Sequence, residues 1–456
     1  MKKIMHFLAA IVAMTALSVA CTELEQNPEK PVEPVVPDAE IEAVSGIEKV
    51  YELGLHEVLA ITPVVQMTEG DQSKITYEWN INHEKVSEEL SLSYKCSTLG
   101  SFDGFFKVKS ENGEALISEF KFNVTSPYDR GLLLLSETEK DGAMLTFKRL
   151  DIMSGHACPM AFRDNNPGLE LGKKALDIAW MGNSLTGKPD MENDLNVFIS
   201  TGDPVKVYSL DPKTLKSKRE IIFNGAGEFV PNKILIPFGF QNQLWDGIVY
   251  FMGGGREQIL SPEYTFIEAS ETGQLPDPSA PLADVAFSHH AAEGDMPRIY
   301  FNTANNRLVM NGGTAFSVES ANVYDVTPMY MLPCKAEYRI QRYEPYGLAL
   351  VGNKGDNVTV YIVTIDIDWD TFELADVIDA TIDASGKILP TSAVCTDPIK
   401  PIMYYSNANG IYRLNIDGQA FDAAPYITLP EGFEAKAITF NQFDQNTMYI
   451  AAENTK

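Results

Sequence analysis

The chain has 456 residues, 45% of them apolar and 22% charged. That composition belongs to a globular protein rather than a disordered one, and the length predicts two folding units. The formal net charge of −27 argues against nucleic acid as a partner and against a face lying flat on anionic lipid.

The N-terminus carries the sharpest signal. Lys2 and Lys3 precede an apolar run from Phe7 to Leu17, followed by Ser18-Val19-Ala20-Cys21. A charged start, a short apolar stretch and small residues before a cut define a secretory signal, residues 1–20. The run is too short for a mature transmembrane helix. A cysteine at the first mature position makes it a bacterial lipoprotein signal, with Cys21 acylated on its thiol and its new amino terminus. Each buried methylene of such chains contributes about 0.8 kcal/mol, so several chains anchor the protein firmly. Ser18 stands where Leu is commoner in such signals, with Leu17 one place earlier. Cleavage removes two lysines and no acid, which takes the mature chain to about −29.

Residues 21–39 then read as the lipidated cysteine and a stalk. Prolines at 28, 31, 34 and 37 favour polyproline II, rising roughly 3.1 Å per residue, so the stalk reaches up to about 50 Å. Thr22-Glu23-Leu24-Glu25, directly after the anchor, resembles the surface-export signal of Bacteroidota lipoproteins. The expected location is the outer membrane, facing the cell exterior.

Residues 40–127 read as all-β. Phe120, Phe122 and Val124 alternate with Glu119, Lys121 and Asn123, the period of a half-buried strand. Val58, Ala60 and Thr62 alternate less strictly, Asn112-Gly113 marks a tight hairpin, and Tyr77-Glu78-Trp79 reads as an interior strand. Several short strands without a helical stretch predict an immunoglobulin-like sandwich with Trp79 in its core.

From residue 128 to 456 the pattern repeats. Similar strands recur at Leu132–Leu135, Asn196–Ser200, Ile248–Met252, Arg298–Asn302, Leu348–Gly352, Ile402–Tyr405 and Met448–Ala451. Most have an apolar strand before them, and several have a third after them. Units of about 50 residues built from short antiparallel strands predict a β-propeller. The count is seven blades with the last one short of strands, or six if Gly131–Ser136 and Leu145–Leu150 complete the final blade. Leu132–Leu135 is expected to be a fully buried strand.

Catalytic and metal motifs fail on context. Gly253-Gly254-Gly255-Arg256 lacks the Lys-Ser/Thr of a phosphate loop and reads as a turn. Asp366, Asp368 and Asp370 begin like a calcium loop, but Thr371 and Val377 stand where Gly and Glu are needed. His289 and His290 are adjacent, so on a strand they point to opposite faces and cannot share one metal. Cys96, Cys158, Cys334 and Cys395 form no C-x-x-C pair and read as buried free thiols. No cofactor or metal is expected. The remaining candidates for ligand contact are aromatic residues near turns: Trp245, Trp369 and Tyr264. Trp180 reads as core.

From Tyr77-Glu78-Trp79 through Phe120-Lys121-Phe122-Asn123-Val124-Thr125-Ser126-Pro127-Tyr128-Asp129-Arg130-Gly131 and the leucines that follow, the chain resembles the PKD-like lipoprotein family of Bacteroidota. Trp79 is followed by Asn80-Ile81-Asn82, not by the Asp-Phe-Gly-Asp-Gly-like run of a true PKD domain. The resemblance implies an accessory role beside a TonB-dependent transporter and its substrate-binding lipoprotein. It supplies no catalytic residues. The expected function is binding of a glycan or peptide nutrient, or of the transporter complex. The rival from another class is a propeller hydrolase or lyase acting on a glycan or peptide. A purely structural spacer is not separable from the first by sequence.

Overall fold

The computed structural model describes residues 38–128, 130–150, 157–181, 196–223, 229–235, 249–260, 266–267, 281–288, 298–311, 317–334, 346–368, 373–441 and 446–455. The described structure is nearly all strand, and the chain divides into two compact units between Val124 and Thr125.

The described residues of the first unit hold nine strands: β1 (Ile41–Ser45), β2 (Val50–Gly54), β3 (Val58–Ile61), β4 (Val64–Met67), β5 (Thr76–Ile81), β6 (Glu84–Ser87), β7 (Leu92–Lys95), β8 (Gly100–Lys109) and β9 (Ala115–Thr125). A five-stranded sheet runs in the order β2-β9-β8-β5-β6, beside the pairs β3-β7 and β1-β4. The three sheets share one core, to which every strand but β6 contributes apolar side chains. Trp79 is fully buried and donates from Nε1 to the Glu89 carbonyl at 2.9 Å. Its ring lies 4.5 Å from Phe106 and 5.9 Å from Phe120. It is a core residue, as expected.

The hairpin between β8 and β9 turns through Asn112 and Gly113, the glycine at φ +95°. The Ser110 N–H donates to the Glu114 carbonyl and closes the turn. Phe120, Phe122 and Val124 all face inward. β3 corrects the expected alternation. Its buried residues are Leu59 and Ile61, whereas Val58 is 49% exposed and Ala60 is also exposed. With apolar residues on both faces, polarity does not set the register there, and the larger side chains fill the core.

Among its described residues the second unit is a series of seven antiparallel sheets. The first contains β10 (Gly131–Thr138), β11 (Gly142–Arg149) and β12 (Ala157–Cys158), followed by the short helix α1 (Ala161–Asn165). The second contains β13 (Lys173–Met181), β14 (Asn196–Asp203), β15 (Val205–Leu210) and β16 (Ser217–Ile221). The third contains β17 (Lys233–Leu235), β18 (Val249–Gly253), β19 (Arg256–Leu260) and β20 (Phe266–Ile267). The fourth contains β21 (Leu282–Ser288), β22 (Arg298–Asn302), β23 (Arg307–Asn311) and β24 (Ser317–Glu319). The fifth contains β25 (Thr327–Pro333), β26 (Tyr346–Lys354), β27 (Asn357–Asp368) and β28 (Glu373–Asp383). The sixth contains β29 (Val394–Thr396), β30 (Ile402–Asn407), β31 (Gly410–Asn415) and β32 (Ala420–Phe421), with β33 (Ile427–Thr428) also paired to β31. The seventh pairs β34 (Phe433–Phe440) with β35 (Met448–Asn454).

Apart from β33, the strands of each sheet meander, so neighbours in sequence are neighbours in space. Successive sheets pack face to face, each pair enclosing its own core. In β26, Leu348 and Leu350 join the core shared with the fourth sheet, while Ala349 and Val351 join the core shared with the sixth. Phe198 in β14 likewise faces the third sheet, and Val197 and Ile199 face the first. Strands buried on both faces carry apolar residues on both, which is why these runs show no alternation. Polar links join successive sheets. The Glu137 carboxylate in β10 accepts the Lys174 and Ala175 N–H groups of β13 at 3.0 and 3.2 Å. Asp177 in β13 accepts the Ile234 N–H of β17 at 2.8 Å and pairs with Lys233 at 3.1 Å.

Two expectations about the ends of this series meet the structure. β10 and β11 pair with β12 in a sheet of their own, and no ladder among the described residues joins them to β34 or β35. The run Leu132–Leu135 is a strand but is not fully buried: Leu134 is 41% exposed and the others are half-buried. β10 is an edge strand, and the core beside it is the one shared with the second sheet, against which Leu133 and Leu135 pack. Burial on one face leaves alternate side chains outside.

Candidate functional site

Cys21, Trp245, Trp369 and Tyr264 lie outside the described residues, as do His289 and His290. Trp180 is half-buried in β13 and packs on the core between the first and second sheets. The Gly254-Gly255 pair forms the two-residue hairpin between β18 and β19, at φ +58° and +77°. These angles suit a type I′ turn, so the glycine run is the expected turn. Asp366 and Asp368 fall in the last residues of β27, paired with Ala375 and Glu373 of β28. Among the described residues no three His, Cys, Asp or Glu side chains are placed to hold a metal ion. No described helix is long and apolar enough to cross a membrane. None of the four described cysteines is in a disulfide; Cys96 and Cys334 are buried, and Cys158 and Cys395 half-buried.

The structure brings together a site that no sequence motif marks. A cleft of about 560 Å³ opens between the β10–β11 turn, helix α1, the segment leading into β13, and the β14–β15 turn. Clefts of this volume are typical of small-molecule sites. Its construction depends on two glycines. Gly142 (φ +69°) opens β11 and presses on the next segment: a Cβ there would stand 2.4 Å from the Gly172 carbonyl oxygen. Gly172 (φ +86°) presses in turn on the β14–β15 turn, where a Cβ would stand 2.6 Å from the Asp203 oxygen. Only glycine permits both the angle and the approach. The Ala143 N–H donates to the Gly172 carbonyl at 2.8 Å and fastens the first two layers.

Hydrogen bonds to the backbone fix the other wall. Thr201 Oγ1 donates to the Leu171 carbonyl at 2.6 Å, and Lys206 Nζ donates to the Glu170 carbonyl at 3.0 Å. Helix α1 is only one turn long and is held by asparagines rather than by its own length. Asn165 Nδ2 donates to the Tyr128 hydroxyl at 2.6 Å. Asn166 Nδ2 donates to the carbonyls of Phe162 and Leu215, while its Oδ1 accepts the Ser217 N–H at 2.6 Å. Phe162 is buried, its ring 5.0 Å from that of Tyr208.

The floor is apolar, from Met144, Met160, Phe162, Leu169 and Leu171. The rim carries Lys140, Arg163 and Lys173 beside Asp141, Glu170 and Asp203, all exposed. Such a floor accepts apolar groups, and the rim offers donors and acceptors of both charges. Nothing in sequence spacing joins residues near 141, 163, 171 and 203; sheet stacking does.

A second concentration of charge is wholly interior. Arg298 in β22 is 1% exposed and lies over the Tyr250 ring of β18, 3.9 Å from its centroid. Its Nε donates to the Tyr300 hydroxyl at 2.8 Å and stands 3.4 Å from Glu257 Oε1. The Tyr300 hydroxyl donates to the same Glu257 oxygen. Burial opposes the Arg298 charge, but Tyr300, Glu257 and Tyr250 outweigh it and hold the guanidinium ionised. Burial likewise keeps Tyr300 a neutral donor. The cluster joins the third and fourth sheets and is closed to solvent, so its role is structural.

No family model matches the chain, and no curated protein matches it. Among solved structures it is similar to a quinoprotein alcohol dehydrogenase-like protein from Bacteroides thetaiotaomicron. That match has 14% identity and a TM-score of 0.46, covering 92% of this chain and 91% of the other. It is also similar to a DUF4784 family protein from Bacteroides caccae, at 10% identity and a TM-score of 0.40, covering 88% of this chain and 98% of the other. Both neighbours are Bacteroides proteins; at these values the likeness assigns the chain neither a family nor an activity.

Proposed function

We propose that this chain is an accessory lipoprotein of a TonB-dependent nutrient uptake system. It is anchored in the outer membrane through Cys21 and faces the cell exterior. In this reading residues 22–39 are the stalk, the first unit is a PKD/Ig-like sandwich, and the seven stacked sheets close as a seven-bladed β-propeller. The chain binds rather than catalyses: it holds a glycan or peptide, or docks on the transporter and its substrate-binding lipoprotein. Trp245, Trp369 and Tyr264 are proposed ligand contacts.

The observation that carries the reading is the order of the N-terminal segments: charged start, apolar run, Cys21, then the proline-spaced stalk. A membrane anchor with a spacer is what a domain held above a membrane requires. The meandering sheets and their face-to-face cores support the propeller, since radial repetition of four-stranded sheets produces that packing. The test is recovery of partners: the anchored protein, extracted in mild detergent, should bring the transporter with it. Recovery alone, together with turnover of a glycan or peptide by the purified protein, would replace this reading with the hydrolase.

A further inference from the structure

We infer that the cleft beside α1 takes a short peptide bearing both charges, with an apolar side chain on the floor. This rests on the binding role proposed above and narrows it from glycan or peptide to peptide.

The first argument is the balance of charge. The chain has 63 acidic and 36 basic residues, so most of its surface attracts cations and repels anions. The cleft rim departs from that composition with three basic and three acidic side chains: Lys140, Arg163 and Lys173 against Asp141, Glu170 and Asp203. A rim of both signs is complementary to a ligand with an ammonium and a carboxylate, which every uncapped peptide carries. The second is the floor. Met144 and Met160 are flexible and polarisable, so they adapt to apolar side chains of different shape.

The third is what the lining lacks. Sugar rings pack their C–H faces on exposed aromatic faces. The lining has no Trp, Tyr or His, and its aromatic residue, Phe162, is 2% exposed. A neutral glycan would find no stacking face there and would bring no charge to pair with the six on the rim.

The test is calorimetric titration of the full-length protein in detergent. The probes are uncapped tripeptides with Leu, Met or Phe at the centre, the same peptides acetylated and amidated, and a neutral gluco-oligosaccharide. The uncapped peptides should bind, and less tightly as salt rises, because the rim charges are exposed. Arg163→Glu should weaken binding about tenfold, as loss of one charge-assisted hydrogen bond does, and Leu169→Asp should weaken it at least as much. Both positions are exposed, so both variants keep the fold, which circular dichroism checks. Peptide binding indifferent to both substitutions would overturn the assignment, as would no peptide binding at all. Oligosaccharide binding lost in Leu169→Asp would overturn the peptide class while leaving the binding role standing. Failure of the binding role itself shows separately, in the recovery of transporter partners.

Discussion

Neutralising Glu257 should destabilise the second unit far more than its single charge suggests. The pair Arg298–Glu257 spans the third and fourth sheets at 3.4 Å, with side chains only 2% and 9% exposed. At an effective dielectric of about 20, two unit charges at that distance attract by about 5 kcal/mol. Desolvation of the two ions consumes several kcal/mol each, so the intact pair contributes little net stability. Breaking it is a different matter. Glu257→Gln keeps an oxygen for the Tyr300 hydroxyl but leaves the Arg298 guanidinium buried without a counter-charge, at an expected cost of about 3–5 kcal/mol. Its Nη2 already has no hydrogen-bond partner among the described residues, which leaves no reserve. Arg298→Met combined with Glu257→Leu removes both charges and should fall within about 1–2 kcal/mol of the parent. Urea unfolding of the parent, Arg298→Met, Glu257→Leu and the double variant closes a mutant cycle that isolates the coupling. A Glu257→Gln variant within about 0.5 kcal/mol of the parent, the range of an ordinary surface change, would refute the buried pair.

Trp79→Ala should cost about 3–5 kcal/mol in the first unit, by cavity formation and loss of the bond to Glu89; protease should then cut within 38–124 while 131–455 persists. Gly172→Ala forces a left-handed angle and a clash with Asp203, costing on the order of 1–3 kcal/mol in thermal unfolding. Leu133→Asp meets a half-buried edge strand opposite Phe147, so it should cost roughly 1–3 kcal/mol rather than unfold the unit outright, as a urea titration would show. Burial, and then the nearby Asp397 charge, push the Cys395 thiol from 9.0 up to about 12. It should therefore resist iodoacetamide at pH 8 until the chain is unfolded. The folded state holds that proton more tightly, so this group's contribution to stability is present below pH 9 and is lost as pH rises from 9 towards 12.

The parts of the fold that were legible are those where one side-chain property decides the outcome. Phe120, Phe122 and Val124 alternate with charges, so their face was fixed by polarity alone. The second strands of the repeats were legible because strands covered on both faces are continuously apolar, as in β14, β18, β22, β26 and β30. Val58-Leu59-Ala60-Ile61 was not: with four apolar residues in a row, size rather than polarity chooses the face. The exposure of Leu134 was missed because four leucines read alike whether a strand lies at a sheet's edge or at its centre. The cleft left no trace in the sequence. Gly142, Arg163, Gly172 and Asp203 meet through stacked turns, and the two glycines were indistinguishable from other turn glycines until their neighbours were known.

The most direct test of the account is protease treatment of intact cells that express the full chain, followed by detection of each unit. The account predicts that both units are digested from outside, and that a Cys21→Ala variant leaves the membrane fraction altogether. Protection of the chain in intact cells would contradict the outward orientation. Retention of the Cys21→Ala variant in the membrane would contradict the lipid anchor.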